Sequence, residues 1–535
     1  MLHNKTMPST AQFLYVLPLL LSIASSGTAQ QLFTDFESGS LQSWSLNGDT
    51  IELTGVPTWT EVPNNYRWVY FGADSVLDRN IDFEIPANSF LGDLDGHRFV
   101  WSYDQQNWSF FDRNEIVGRD FRFSNDSVFD QDRVFVAYST PYSVTRVSEH
   151  VSELASNWFV SPTASANVDL QVGSVQDLPL YGYRITNPLQ PPPLSQVDKT
   201  KIVLVGGNHS GEPGANYALE GFLDFLASDD DRAQGMRAAA DFYVYPMTDP
   251  LGRSEGFYRG NSQNPFNDHN RFWDASVSGD NGGFVEIDIL SAAMRADTGA
   301  DVNYTLDFHG FFDSSDNFIF TDSRGLNTQF IQELLDLNPP IDLVIDNATS
   351  PEGILEFWAK TPQGLNSDFA FTPEFSPNLA ADDLRSLGQE FALAMFAELG
   401  NPSFETSSVE IDTLSQVLAS GTSDLLFDFN RDGTTNAEDR DFFISDVLGS
   451  LPGDTDLSGT VEFADFLFLS DNFGNAGGWG QGDFDGDGTV AFADFLALSG
   501  NFGSSAVVAV PEPNAALLMT IACVGFAITR RHRVI

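Results

Sequence analysis

Ile202-Val203-Leu204-Val205-Gly206-Gly207-Asn208-His209-Ser210-Gly211-Glu212-Pro213 decides the fold. Four apolar residues in unbroken succession read as a short strand buried on both faces. Pro213 stands where a helix tolerates it, in the first turn. Leu219, Phe222, Leu223 and Leu226 then recur at helical spacing. Strand feeding helix is the unit of an α/β domain. Further strands are expected at 242–247, 304–309 and 369–375, with a closing helix at 382–399. A largely internal sheet follows.

The turn after the strand carries chemistry. His209 and Glu212 stand three apart, so a tight loop or first helical turn can aim both at one point. A catalytic zinc needs three protein ligands and one open position. With one cysteine in the whole chain, Cys523, the ligands must be His and carboxylate. Outside the two ends the His residues are His97, His150, His209, His269 and His309. His309 qualifies as third ligand because it ends a strand, in Leu306-Asp307-Phe308-His309-Gly310, and strand ends are where such sheets bind ligands.

In these motifs the sequence resembles the zinc metallocarboxypeptidases. It looks most like the cytosolic carboxypeptidase subfamily, whose eukaryotic members trim glutamate from tubulin tails. Gly207 to Pro213 matches the metal loop, and Gly221-Phe222-Leu223-Asp224-Phe225-Leu226 continues it. Tyr245 to Gly252 is a degenerate form of Pro-Met-x-Asn-Pro-Asp-Gly. Tyr258-Arg259-Gly260, Asn270-Arg271, Asp307 to Gly310 and Phe371-Thr372-Pro373-Glu374 follow in order. The resemblance implies an α/β/α domain on a mixed sheet, with His209, Glu212 and His309 on zinc. Glu374 would be general base and Arg259 the oxyanion's partner. Asn270 and Arg271 would hold the substrate's terminal carboxylate, which makes the enzyme an exopeptidase acting on peptide or protein C-termini. Lys360 borders the region of the specificity pocket by analogy and, pointing inward, would favour acidic C-terminal residues. Two departures stand out. No Tyr lies between Tyr304 and Glu374 to close over the substrate, so that role is empty or taken by a residue such as Trp358, and Asp249-Pro250-Leu251-Gly252 replaces Asn-Pro-Asp-Gly.

Outward toward the N-terminus, 30–165 alternates aromatic strands with turns, as in Trp68-Val69-Tyr70-Phe71 and Val134-Phe135-Val136-Ala137-Tyr138, with no long helical pattern. This predicts a β-sandwich, and it resembles the subfamily's own N-terminal sandwich. The catalytic domain is then expected at 166–402, with Pro191 to Pro193 in one of its loops.

At 403–505 the texture changes to three similar acidic loops. Asp428, Asn430 and Asp432 precede Gly433 and Asp439. Asp454, Asp456 and Ser458 precede Gly459 and Asp465. Asp483, Asp485 and Asp487 precede Gly488 and Asp494. Oxygen ligands at positions 1, 3, 5 and 12 with Gly at 6 are the requirements for wrapping calcium. Asp at position 12, with a helix after each loop, resembles dockerin domains and implies a small helical module with a cohesin-like partner.

The formal net charge of −49 excludes nucleic-acid binding, since phosphates would be repelled. Residues 1–29 read as a signal peptide, with Lys5, the apolar run Phe13 to Ala24, and small residues at Gly27-Thr28-Ala29. Residues 510–535 combine Pro511-Glu512-Pro513, an apolar stretch and Arg530-Arg531-His532-Arg533, which resembles the bacterial PEP-CTERM sorting signal. The expectation is a bacterial protein exported to the surface or beyond, with transient or terminal membrane attachment. Two other readings fit the same residues: a zinc amidohydrolase on cell-wall peptides, and a non-catalytic, calcium-stabilised surface binding protein.

Overall fold

Ile202, Val203, Leu204 and Val205 are completely buried, and the reason is visible in the computed structural model. It describes residues 30–54, 68–86, 94–190, 199–310, 316–345, 353–403 and 407–506. The expected signal segment, the Pro191–Pro193 run and the sorting segment lie outside these.

The Thr200–Gly206 strand runs near the middle of an eight-stranded sheet. It lies parallel to Ala240–Tyr245 on one side and Tyr304–Gly310 on the other, and Phe369–Phe375 continues the parallel set. Antiparallel strands flank this set, Tyr183–Ile185 with Val160–Pro162 on one side and Phe318–Thr321 on the other. The sheet is therefore mixed.

Period-two alternation divides the central strand between two cores. Ile202 and Leu204 pack under the helices Pro213–Ala227 and Ala381–Glu398, whereas Val203 and Val205 pack under Val285–Thr298. The result is an α/β/α stack. The first two helices touch backbone to backbone. A Cβ on Gly221 would stand 2.0 Å from Arg385 O, and one on Gly388 would stand 1.8 Å from Ala218 O.

Two five-stranded sheets form the N-terminal region. They share one aromatic core, in which Phe123 stacks on Phe99 at 4.1 Å and on Phe83 at 5.2 Å. Tyr258, from the catalytic domain, is buried in that same core.

The expectation of no helix before 165 is corrected. Val144–Ala155 is helical, and Val147, Val151 and Leu154 pack into the large sheet's core, as does Val160 from its edge strand. Packing changes over near 140, because the sandwich strands end at Ala137. An amphipathic helix must bury its stripe somewhere, and only the second core has room.

The C-terminal region carries helices Ser408–Ala419, Ala437–Phe442, Phe463–Asn472 and Phe492–Asn501. It docks beside the Val160–Pro162 edge strand. Trp158 sits edge-on to Phe429 at 5.5 Å and Phe443 at 5.4 Å, and Leu189 is buried in the same cluster. Arg431 donates to Asn157 O and Val160 O. Among the described residues no helix is long and apolar enough to cross a membrane.

Candidate metal centre

Register brings the site together. Tyr304–Gly310 and Phe369–Phe375 pair so that His309 stands opposite Glu374, each next to last in its strand. His209 follows three residues after the neighbouring strand ends, and Glu212 is the residue before helix Pro213–Ala227. Gly207, with φ of 65°, makes the turn between them.

His209, Glu212 and His309 are buried, with ligand atoms all within 4.8 Å of one another. Nδ1 of His209 is 2.9 Å from Glu212 Oε1, and Nδ1 of His309 is 2.9 Å from Oε2. Each ring's other nitrogen is held by a carboxylate. His209 Nε2 lies 2.9 Å from Asp268 Oδ1, and His309 Nε2 lies 3.0 Å from Asp307 Oδ2. That arrangement presents Nδ1 lone pairs to one point. Two imidazoles and a carboxylate are a donor set that zinc favours, so the residues present fit the ion.

The electrostatics agree. Burial would raise the Glu212 carboxyl, but His209 and His309 bring it below its ordinary value. Burial likewise opposes ionisation of Asp268, yet His209 and Arg259 hold it well below the usual range. Against burial, Asp307 and Glu212 push His309 well above its ordinary value. Glu374 has no such match: burial raises it to about 8, Glu212 adds to this, and His309 and Arg259 oppose.

Arg259 bonds Asp268 through Nη1 at 2.9 Å and stands 3.7 Å from Glu212 Oε1. Asn270 lies 3.4 Å from His309 Nε2 through Nδ2, and its Oδ1 accepts the Leu355 N–H. Arg271 reaches outward, its side chain 42% exposed. Of this pair, Asn270 is buried against His309 and only Arg271 reaches solvent. Two expectations are corrected. Trp358 is buried against Trp273 and cannot close over a substrate. Lys360 lies 2.9 Å from Glu356 Oε1 and 3.6 Å from Asp322 Oδ2, so its charge is already matched. Its neighbours leave little net positive potential because both carboxylates are mostly buried with it.

Four residues to which the sequence assigns no role support the ligands. Asp268 and Asp307 orient the ligand rings, Asn208 bonds Asp307 at 3.0 Å, and the Tyr258 hydroxyl donates to Glu212 at 3.2 Å. Asp307 carried a usable signal, since residues two apart on a strand share a face and a metal-binding His wants an acceptor behind it. Asp268 carried none, being 59 positions from His209.

In the C-terminal loops, the carboxylates of Asp454, Asp456 and Asp465 converge, as do those of Asp483, Asp485 and Asp494. Asp428, Asn430, Asp432 and Asp439 are not among the converging acidic groups found in the described residues. The glycines at position six, Gly433, Gly459 and Gly488, have φ of 87°, 80° and 87°, a conformation that suits glycine. Ser458 N and Asp487 N close their turns on Asp454 and Asp483.

Known proteins place this geometry. Human cytosolic carboxypeptidase 2 is 35% identical over 133 residues, which cover 24% of this chain and 14% of that protein. Cytosolic carboxypeptidase 6 of Caenorhabditis elegans is 30% identical over 142 residues, 26% of this chain and 29% of its own length. The match thus spans less than a third of the length of those relatives. A metallo-carboxypeptidase of Burkholderia cenocepacia superposes with a TM-score of 0.58 at 16% identity, covering 70% of this chain and all of that one. A metallo-carboxypeptidase of Pseudomonas aeruginosa, solved with (2-guanidinoethylmercapto)succinic acid, superposes at 0.53 with 18% identity over 69% of this chain and all of that one. No protein-family model matches the chain. The fold is that of the metallocarboxypeptidases.

Proposed function

We propose that this chain is an exported zinc carboxypeptidase that releases C-terminal residues from peptides or proteins. The observation that carries the reading is the convergence of His209, Glu212 and His309 beside Glu374, with a carboxylate behind each imidazole. Zinc held there would polarise the scissile carbonyl and make a nucleophile of water at neutral pH. Glu374 would be the base that accepts a proton from the attacking water and returns it to the leaving amine. Arg259, fixed by Asp268, faces the developing oxyanion. Asn270 and Arg271 hold the terminal carboxylate, for which the guanidinium fork is suited. A preference for acidic residues would rest on Lys360 alone. With Glu356 and Asp322 beside it, neutral C-terminal residues are expected to be released as well. The test is residue release from a mixed peptide library with zinc, with and without a chelator. Absence of chelator-sensitive release of any C-terminal residue would overturn the reading.

The C-terminal loops extend the proposal. Calcium would be bound at Asp454, Asp456, Ser458 and Asp465, at Asp483, Asp485, Asp487 and Asp494, and at the looser set Asp428, Asn430, Asp432 and Asp439. A dockerin-like role, with a cohesin-like partner, is supported by matching apolar positions left exposed on the last two helices and just after them: Phe463 and Phe492, Leu467 and Leu496, Phe473 and Phe502. Export and sorting rest on the two chain ends described above. Isothermal calorimetry with calcium decides the first point, and no heat above background would remove it.

A further inference from the structure

His269 is the one histidine near the centre that the reaction does not use, and its hydrogen bonds fix its tautomer. The ring is completely buried, held between the edges of Trp273 and Phe284. Its Nδ1 lies 2.9 Å from Asn208 Oδ1. That atom must be the amide oxygen, because it also receives the indole N–H of Trp273, a donor only, at 3.2 Å. The amide nitrogen of Asn208 then donates to Asp307 Oδ2, the oxygen that holds His309 Nε2. So Nδ1 of His269 carries the hydrogen. Burial keeps the ring neutral, pulling it down to about 3, and Nε2 is left as a bare acceptor with no partner.

What faces that acceptor is a carboxyl. Glu286 Oε1, equally buried, lies 3.8 Å away. Asn261 Nδ2 donates to it at 3.0 Å and reaches Asp249 Oδ1 at 3.4 Å, so one amide links two buried acids. Asp249 Oδ2 is buried without a hydrogen-bond partner. One cation, Arg253, faces Asp249, while its Nη atoms donate to Tyr142 O and Asn216 Oδ1. Two buried acids thus share one positive charge. The other charged neighbour of Glu286, Asp288, adds negative charge. Among the described residues, these acids are not in a group whose donors converge on a metal. The negative charge that Arg253 leaves unmatched, on Glu286, is therefore met by a proton.

We propose that Glu286 is a protonated positioning residue, donating to His269 Nε2 and so ordering a relay from Glu286 through His269, Asn208 and Asp307 to His309. The two atoms stand 3.8 Å apart, so the bond requires a shift of the Glu286 side chain toward the ring. Burial supports the state, raising Glu286 to about 8, helped by Asp249, and Asp249 itself to about 7. The relay also explains the departure at Asp249. A neutral carboxylic acid can stand where the resembled motif has a neutral amide. The proton on Glu286 is independent of the peptidase reading; the effect on His309 rests on it.

The experiment has two arms, both on the full chain. Infrared difference spectra of zinc-free wild type against Glu286→Gln, near neutral pH, should show a protonated carboxyl band that the variant lacks. A Glu286 that is ionised at that pH overturns the proposal. Zinc affinity by chelator competition should stay near wild type in Glu286→Gln, which keeps a donor. In Glu286→Leu, which has none, it should weaken roughly 10-fold. Equal affinities in the two variants would remove the relay. An inactive enzyme that still shows the band and this affinity pattern would refute the peptidase reading alone.

Discussion

Around His209 and His309 the carboxylates meet mainly imidazole and guanidinium groups, whereas in the C-terminal loops they meet mainly backbone N–H groups. Asp268 and Asp307 each lie against the Nε2 of one imidazole, and Glu212 lies against the Nδ1 of both. Asp465 accepts from Thr455 N and Glu462 N, and Asp494 from Phe484 N and Ala491 N. The electrostatics diverge accordingly. Glu212 and Asp268 are held ionised by His and Arg neighbours. Asp454 and Asp483 are pushed up by burial, with other carboxyls adding to it. The first region is charge-balanced within the protein. The second carries uncompensated negative charge on a rigid backbone frame, which a cation would relieve. Residue type alone does not separate these cases, but the partners do.

The comparison breaks most visibly at Glu374. Glu374→Gln should lower the rate of residue release by roughly 10²–10⁴-fold with one zinc per chain still bound. A rate within a few-fold of wild type would take the general base away from this residue. Asp268→Asn and Asp307→Asn come next, each weakening zinc by about 10–100-fold while leaving any calcium response of the loops unchanged. If zinc affinity is unmoved in both, side-chain partners are not what preorganises the centre.

For the loops, calcium at a hundred times its dissociation constant should stabilise the chain by about 2.7 kcal/mol, read from denaturant unfolding. The paired substitution Asp465→Ala with Asp494→Ala should abolish that gain and spare zinc binding. A persistent calcium effect would point to other ligands.

The smallest effect concerns Asp249 and Glu286, whose folded-state values, about 7 and about 8, lie above those of the unfolded chain. Folding there holds extra protons, so the contribution is complete in acid, below the ordinary carboxyl range, and is lost as pH rises through 7 to 8. Glu286→Gln should flatten that part of the stability profile. An unchanged slope would mean that the pair is ionised throughout.

Much of this was legible in the chain. The unbroken run Ile202 to Val205, the Pro-led helix behind it and the glycine at the sixth place of each loop are local signals. They report burial, capping and turn geometry within a few residues. The helix at 144–155 was legible too, since Val144, Val147, Val151 and Leu154 mark one face. It was overshadowed by the strands before it. For Lys360 the charge could be read from the sequence, whereas its partners Glu356 and Asp322 could not.

Sequence by itself determined which segments are strand, helix or loop and which residue types were available to hold metal, because periodicity, capping and donor chemistry are properties of neighbours in the chain. Tertiary structure alone decided who meets whom. Asp268 finds His209, Arg431 clasps the edge strand and Glu286 faces His269 only after sheet register and helix packing fix positions to within an ångström. Hydrogen bonds and charges act over such short distances that partner choice between remote residues is not written in local pattern.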